Sequence, residues 1–239
     1  MSSSALDAVL AAHELRLEPS QLERLERYSA LLREWNERVN LTAIIDPAQI
    51  RVKHFLDSLT LLRARPPESG ARLIDVGTGA GFPGVPLAIA RRDLQVTLVE
   101  SVAKKVRFLE TVVEQLRLAN VTIAHARAED LAHEAARRER YDVAVARALP
   151  TLATNLELLL PFCRTGGYAA AYKGRIEAER AAAERAAGIL GANITSVVTS
   201  AELGMAADLP GRCLVIATKL AATPSRYPRP AVEMKRHAW

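Results

Sequence analysis

A glycine-rich turn that follows a short apolar run constrains the fold of this chain more than any other stretch. Residues 73–76 form the run, glycines follow at positions 77, 79 and 81, and Gly84 closes the segment. Residues without a Cβ let the backbone turn tightly and approach a ligand closely. Pro83 and Pro86 come next, and proline is favoured in the first turn of a helix. A strand, a glycine turn and a helix in this order predict a parallel α/β sheet that presents a nucleotide-like ligand to a helix N-terminus.

Length and charge narrow the class of protein. A chain of 239 residues suffices for one full α/β domain with an appendage. The net charge of +5 and the pI near 9.5 favour an anionic partner. Cys163 and Cys213 lie far apart in apolar surroundings, so we expect two reduced, buried thiols and no metal site.

The ends and the hydropathy of the chain bear on its location. The N-terminus carries neither the basic nor the apolar segment of a signal peptide, and the apolar runs are shorter than a membrane span. From these patterns we expect a soluble, cytoplasmic protein.

The first 64 residues are predicted to be helical. A short helix is expected over residues 5–17, and a longer one with Ser20 as its N-cap and Glu23 three residues later. Asp46 and Pro47 begin a third helix. A Pro- and Gly-rich linker follows, so we divide the chain into a helical extension (1–66), a domain (67–222) and a basic, proline-rich tail (223–239).

Beyond the linker, strand and helix patterns alternate. Strands are predicted at 73–76, 95–100, 121–125, 141–146 and 167–172, and helices at 84–91, 103–117, 131–139, 151–161 and 175–190. Two further apolar stretches, 194–199 and 213–219, predict an antiparallel hairpin with a long connection at the sheet edge. The fold class is therefore α/β, a doubly wound, Rossmann-like sheet behind a helical N-terminal extension.

The glycine turn permits two kinds of ligand. Residues 79–84 fit G-x-G-x-x-G, which is typical of dinucleotide enzymes. Asp75, however, extends the pattern to D-x-G-x-G-x-G, with glycines at 77 and 79. A carboxylate there can orient the loop or face the amino group of a zwitterionic ligand, and it would repel a pyrophosphate. Asp75, Gly77 and Gly79 are therefore candidate cofactor-binding residues.

Carboxylates also end the next two strands. Glu100 follows the glycines by about 20 residues, where a carboxylate accepts hydrogen bonds from ribose hydroxyls. Both NAD and S-adenosylmethionine contain such a ribose. Ala128 and Glu129 follow the third strand, where an adenine ring would lie. Simple capping of a helix by Glu129 or Asp130 is the alternative for this segment.

Two cations end the fourth and fifth strands. Arg147 is placed to hold a carboxylate, a phosphate or a guanine edge, or simply to face solvent. Lys173 is placed to neutralise a phosphate of the substrate. In the N-terminal region, His54 shares a helical face with Asp57 and Ser58. The spacing favours a structural hydrogen-bond network for these three over a catalytic role.

Asn36 and Asn40 share another helical face beside Trp35. Base recognition and packing of amide on indole remain equal alternatives for this pair.

With these positions assembled, the chain resembles the glucose-inhibited division protein B family from about residue 15 to 220. The shared motifs are Trp35-Asn36, Asn40-Leu41-Thr42, His54-Phe55-Leu56-Asp57-Ser58, the glycine segment 75–84, Arg147-Ala148 and Lys173-Gly174. Family members commonly carry serine before the arginine of the fourth strand, where this chain has Ala146.

The resemblance implies a methyltransferase that makes 7-methylguanosine in 16S ribosomal RNA, with S-adenosylmethionine as the methyl donor. Carried over by position, the cofactor contacts are Gly77, Phe82, Ala128, Glu129 and Arg147, with Glu100 at the ribose. Arg147 and Lys173 are then the candidate catalytic residues, which orient the RNA or its phosphates. The tail and the basic residues of the N-terminal helices would extend that surface.

Guanine N7 has a free lone pair and no proton to lose, so this reaction requires positioning rather than a general base. We expect a monomer acting on 16S RNA, a small ribosomal subunit or an assembly intermediate, away from membranes. The alternatives are a methyltransferase of another substrate, an NAD-dependent oxidoreductase and a non-enzymatic RNA-binding module.

Overall fold

Local sequence explains where the N-terminal helices begin. A computed structural model describes residues 4–239. Helix α2 begins at Pro19, one residue before the predicted N-cap, and the Glu18 N–H donates to Gln21 Oε1 at 2.7 Å. The Ser20 and Glu23 prediction was wrong because proline, which lacks an N–H, is favoured at the first helical position. Asp46 does cap the next helix, since its carboxylate accepts the Gln49 N–H at 2.9 Å.

The helix that begins at Pro47 changes from α-helical to π-helical winding and back before it ends at Ala64. It comprises an α-helical turn, a π-helical segment at Arg51–Leu56 and a second α-helical part. The π-helical segment carries His54, and π-helical turns are frequent at functional sites. The helices of the structure are α1 (Ala5–Ala11), α2 (Pro19–Asn36), α3 (Pro47–Ile50), α4 (Asp57–Ala64), α5 (Gly84–Ala90), α6 (Ala103–Gln115), α7 (Ala128–Leu131), α8 (Leu152–Leu159), α9 (Arg180–Ile189) and α10 (Ala231–Arg236).

A seven-stranded sheet follows the linker in the order β3-β2-β1-β4-β5-β7-β6. The strands are β1 (Arg72–Val76), β2 (Gln95–Glu100), β3 (Val121–His125), β4 (Tyr141–Arg147), β5 (Cys163–Lys173), β6 (Ala192–Thr199) and β7 (Cys213–Lys219). The first five are parallel, and β7 runs antiparallel to both neighbours. The predicted parallel sheet with a hairpin at its edge is confirmed.

Alternate strand residues bury opposite faces of the sheet. Leu73 and Val143 pack into a core with the N-terminal helices, α5 and α6. Ile74 and Ala144 point into the other core, with α8, α9 and the end of the chain. Because successive strand residues point to opposite faces, continuous apolar strands are what a sheet covered on both sides requires.

The predicted helix over residues 131–139 is wrong. The structure has only the short helix α7, and turns follow it. In this stretch Leu131 and Ala132 are buried and the charged residues that follow lack an apolar face. Arg138 instead folds back and donates to the Ala132 carbonyl oxygen at 3.0 Å. Most helices in proteins are stabilised by packing of an amphipathic face, and this stretch has no such face to pack.

The tail does not stand apart from this body. Tyr227 is buried, and residues 229 and 239, on either side of α10, hydrogen-bond to Glu157 of α8. None of the helices in residues 4–239 is long and apolar enough to cross a membrane.

Candidate active site

The glycine turn is held by the strand that precedes it. The Asp75 carboxylate accepts the Thr78 hydroxyl at 2.5 Å and the Gly84 N–H at 2.7 Å through the same oxygen. A Cβ at Gly84 would lie 2.7 Å from that oxygen, so glycine is required there. Burial raises the pKa of Asp75 to about 7. Asp75 therefore orients the loop, one of its two predicted roles, from a position behind the loop.

Gly77 opens the loop and faces a cavity. Its φ of +66° lies in the region that favours glycine, and a Cβ there would lie 3.3 Å from the Leu149 side chain. Any larger residue at position 77 would strain the turn and fill the space beside it. Gly79, also at positive φ, serves the loop differently, because its N–H donates to Glu100 Oε2 at 3.1 Å.

Glu100 joins the loop to the end of β2. Its other oxygen accepts the N–H groups of Ser101 and Val102, both at 2.8 Å. Each carboxylate oxygen has two lone pairs, so Oε2, with one backbone donor, retains room for a hydroxyl. Glu100 is thus fixed in place with accepting capacity toward the cavity that it lines.

We call this space the first cavity. It has a volume of about 470 Å³ and lies at the carboxyl ends of β1, β2 and β3. Such crevices outside the strand ends are where open α/β sheets bind ligands. The predicted residues that line it are Gly77, Glu100, Ala128 and Glu129, and those that prediction missed are Val76, Val99, Ser101, Ala126, Arg127, Leu149, Pro150, Thr151, Thr154, Leu158, Ala231, Met234, Lys235 and Ala238.

Ala128 begins helix α7 at the rim of this cavity, and Glu129 follows it. The helix leaves backbone N–H groups of its first turn at the cavity. An adenine ring placed there would meet a backbone donor and a carboxylate, as expected from the sequence. The acidic residues also lie in the first helical turn, so the dipole interaction of the alternative interpretation is compatible with the same geometry.

A second cavity of about 500 Å³ adjoins the first. Its lining includes Lys53, His54, Asp57, Arg147, Lys173, Asp208 and Arg212. Four of these side chains are cationic and two are carboxylates, which leaves an excess of two positive charges when His54 is neutral. The sequence analysis identified Arg147 and Lys173 but missed Lys53, Asp208 and Arg212, which carry no motif by themselves.

Asp57 organises the cations of the second cavity. Arg212 binds it in a fork, with Nε 3.0 Å from Oδ1 and Nη2 2.9 Å from Oδ2. Arg147 Nη1 donates to Oδ2 at 3.1 Å. Asp57 therefore takes part in a structural network, as favoured from the sequence, but the partners of its carboxylate are the two guanidinium groups at the cavity wall and not His54 or Ser58.

The imidazole of His54 is held neutral. Arg147 Nη2 lies 3.2 Å from Nδ1, and a guanidinium can only donate, so Nδ1 accepts. Nε2 then carries the proton and donates to Thr42 Oγ1 at 2.9 Å. Burial, aided by the Arg147 charge, lowers the pKa of His54 from 6.5 to about 4. With both nitrogens engaged, this histidine positions Arg147.

Phe82 connects the glycine loop to the second cavity. Its ring stacks on the His54 ring, with centroids 4.4 Å apart, and the Arg147 guanidinium lies 4.8 Å from its centre. Phe82 is 4 % exposed and does not line the first cavity. Phe82 thus packs beneath the second cavity, which Arg147 lines, and contact of these two residues with the cofactor stays a prediction.

Lys173 is anchored at the end of β5. Its ammonium lies 3.1 Å from the Pro150 carbonyl oxygen and 3.1 Å from Glu179 Oε2. The Lys173 charge is therefore partly compensated, and the residue also positions the segment after β4.

The amide of Asn36 holds the loop that leads to His54. Its Oδ1 accepts the N–H groups of Leu41 and Thr42, at 2.7 and 2.9 Å. Ser58, in contrast, donates to the His54 carbonyl oxygen at 2.5 Å. Both side chains thus stabilise local backbone, while Asn40 is exposed.

The two cavities meet at the segment after β4. Leu149 lines both of them. Ala148, just before it, has a φ of +63°, and strained backbone of this kind clusters at functional sites. The two cavities are therefore neighbours that share the Leu149 side chain as a wall.

A known protein family, its curated members and solved structures are similar to this chain. The profile of the GidB family, rRNA small subunit methyltransferase G, matches residues 21–205. A ribosomal RNA small subunit methyltransferase G of Roseiflexus castenholzii is 47 % identical over 219 residues, covering 90 % of each chain. That of Clostridium beijerinckii is 42 % identical over 232 residues, covering 97 % of this chain and 94 % of the relative. In fold, a SAM-dependent methyltransferase of Aquifex aeolicus superposes with a TM-score of 0.53 at 18 % identity, covering 72 % of this chain and 93 % of the other.

The sheet with its reversed strand β7 has the fold of that methyltransferase, and the family profile and the curated relatives show that the chain is a methyltransferase that uses S-adenosylmethionine. Within that class, the chain belongs to the GidB family, the rRNA small subunit methyltransferase G. The resemblance seen in the sequence motifs is thereby confirmed.

Proposed function

We propose that the protein methylates N7 of a guanosine in an exposed loop of 16S ribosomal RNA. The observation that carries this proposal is the pair of joined cavities at one sheet edge, one shaped for a nucleoside and one with excess positive charge. Membership of an rRNA methyltransferase family supplies the class of substrate.

The first cavity fits S-adenosylmethionine. Its volume of about 470 Å³ lies in the usual range for small-ligand sites. Gly77 leaves room at the wall where a Cβ would approach Leu149, and Glu100 has accepting capacity for ribose hydroxyls. When bound, S-adenosylmethionine supplies a methyl group on a sulfonium. A nucleophile that attacks this methyl carbon displaces the sulfur. The residues proposed to hold S-adenosylmethionine are Gly77, Gly79, Glu100, Ala128 and Glu129, with Asp75 holding the loop.

The chemistry of guanine N7 suits the state of His54. A carbon–nitrogen bond forms as the carbon–sulfur bond breaks, and the positive charge passes to the purine ring without loss of a proton. No general base is needed, and His54, with both ring nitrogens hydrogen-bonded, offers none. The enzyme contributes alignment of the two reactants and exclusion of water.

The second cavity suits the acceptor. A guanine edge presents O6 and N7 as acceptors, and Arg147 and Arg212 are donors fixed by Asp57. N7 must remain free to react, so we assign Arg147 to orientation of the nucleotide or its phosphate. Lys173 contributes a second cation at the same wall. An unpaired loop is favoured because the major groove of an RNA helix is too narrow to admit the site.

The proposal also includes the oligomeric state of the enzyme, its location and the form of its substrate. We retain a monomeric, cytoplasmic enzyme that acts on the RNA or on a small ribosomal particle. Arg229 of the tail, which the sequence suggested as part of an RNA surface, is engaged by Glu157 instead. The RNA-facing charge is therefore assigned to the rim of the second cavity.

Mass spectrometry of 16S RNA from cells with and without the protein tests this function. We expect 7-methylguanosine at one position to disappear without the protein and to return with the wild-type protein. Methylation at another atom or on another molecule would contradict the proposal. Thermal-shift titrations with S-adenosylmethionine and NADH run in parallel, and stabilisation by NADH alone would identify an oxidoreductase.

A further inference from the structure

The end of the chain forms one wall of the first cavity. Ala231, Met234 and Lys235 of α10 line it, together with Ala238 just beyond that helix. The opposite wall is formed by the ends of β1 and β2. The family profile ends at residue 205, well before this segment. The tail thus completes a cavity whose other walls come from the core of the fold.

A buried carboxylate fixes both ends of this wall. Glu157 of α8 is fully buried, and Arg229 donates to it from Nε at 2.9 Å and from Nη2 at 2.6 Å. The Arg229 backbone N–H donates to the same carboxylate at 2.8 Å, and the Trp239 indole N–H at 2.6 Å. Residue 229 precedes α10 and residue 239 follows it. One carboxylate therefore holds the helix from both sides.

Further contacts support the approach to α10. Arg138 donates to the carbonyl oxygens of Thr223 and Tyr227, at 2.8 and 2.9 Å. The Tyr227 ring stacks on Trp239 with centroids 5.7 Å apart. Removing one partner of a buried charge pair lowers stability strongly. The segment is therefore held in place while Glu157 keeps its hydrogen bonds to Arg229 and Trp239.

Met234 gives this wall its chemical character. Its side chain is half-buried and packs with Ala128 against the core on the same face of the sheet. A flexible thioether adapts to an aromatic ring and makes favourable contacts with it. The adenine is expected near Ala128, and Met234 supplies an apolar, adaptable part of the wall of the same cavity.

We propose that residues 227–239 are part of the cofactor site, with Met234 as the outer wall of the adenosine pocket and Glu157 as the residue that positions it. This inference rests on the proposed location of the cofactor in the first cavity. Met234 is a binding residue in this scheme, and Glu157 acts through Arg229 and Trp239.

Calorimetric titration of full-length variants with S-adenosylmethionine and S-adenosylhomocysteine tests the role of Met234. We expect Met234→Gln to weaken binding of both ligands by about tenfold, because an amide replaces buried apolar contact. Val232→Gln is the matched control. It lies in the same helix but is 61 % exposed and does not line the cavity, so its affinities should stay within about twofold of the wild type.

A Glu100→Ala variant separates the two ways in which this inference can fail. If Met234→Gln binds like the wild type while Glu100→Ala loses affinity, the cofactor lies in the first cavity and the tail is not part of its site. If neither variant changes affinity, the location of the cofactor is itself wrong.

Hydrogen exchange of the wild-type protein needs no variant. On addition of S-adenosylhomocysteine we expect slower exchange at the amides of α10 as well as at those of the glycine loop. Protection of the loop with unchanged exchange in α10 would overturn the proposal. A Glu157→Gln variant should show faster exchange in α10 before ligand is added and a weaker affinity afterwards.

Discussion

The two cavities of this enzyme are built in different ways. The first relies on a backbone turn, one strand-end carboxylate and apolar walls, and the second on ionic side chains that hold one another in position. Most of the first comes from consecutive strand ends, whereas the second joins residues from the N-terminal helix, β4, β5 and the segment before β7. From this difference we expect shape to govern binding in the first cavity and charge placement to govern it in the second.

A substitution at Gly77 should have the largest effect. In Gly77→Val the side chain meets Leu149 and the backbone must keep a φ of +66°. We expect S-adenosylmethionine affinity to fall by about 100-fold or more in calorimetry. Gly204→Val is the matched control, since Gly204 also has a positive φ but has nothing within 4 Å of its Cβ position. Equal loss in both variants would attribute the effect to backbone strain rather than to the cavity.

Replacement of Arg147 tests whether the cavities are separable. Arg147→Ala removes a donor of the second cavity, while Asp57 keeps its fork with Arg212 and the fold is preserved. We expect single-turnover methylation to slow by about 100-fold while S-adenosylmethionine affinity changes by less than about threefold. Arg164→Ala, at an exposed ion pair with Asp142, is the control. If Arg147→Ala also lost affinity for S-adenosylmethionine, Arg147 would be part of the cofactor site, as the family motif predicts.

A third test concerns the pH dependence of stability and changes neither binding nor methylation directly. The pKa of His54 is lowered to about 4 from an ordinary value of 6.5. Between these values the unfolded chain binds more protons, so the contribution of His54 to stability is lost as pH falls from 6.5 to 4. The raised pKa of Asp75, about 7, acts in the opposite direction, because stability then falls as pH rises from about 4 to 7.

Denaturant unfolding of His54→Gln across this range isolates the histidine. We expect the wild type to lose about 3 kcal/mol more than the variant between pH 6.5 and 4. The variant should even gain stability on acidification, because the trend of Asp75 remains. His237→Gln, at an exposed position, should follow the wild type. A profile of His54→Gln that is identical to the wild type would mean that the imidazole is not held neutral.

Much of the first cavity could be predicted because its residues follow one another along predictable strands. The Gly77 turn, Glu100 and Ala128 each stand at a strand end, and parallel strands bring their carboxyl ends to one edge. The wall from α10 could not be predicted in this way. A Pro-rich segment carries no periodicity, and its place depends on the buried carboxylate of Glu157, far away in the chain.

The second cavity was predicted only in part for a related reason. Arg147 and Lys173 stand at strand ends, but Arg212 lies in an irregular segment whose position follows from Asp57. The predicted helix over 131–139 failed because charge pattern alone does not show whether an apolar face will find a partner. The Asp57–Arg212 contact joins residues 155 positions apart, beyond the range of local pattern.

The amino-acid sequence alone determined the alternation of strands and helices, the edge hairpin and the glycine turn, because these depend on local periodicity and backbone freedom, and its motifs indicated the family. Tertiary structure decided that Arg147 and Lys173 line the second cavity, that Phe82 stacks on His54, and that residues of α10 line the first cavity. Those outcomes depend on buried charge pairs and ring stacking between distant segments, and only packing in three dimensions selects their partners.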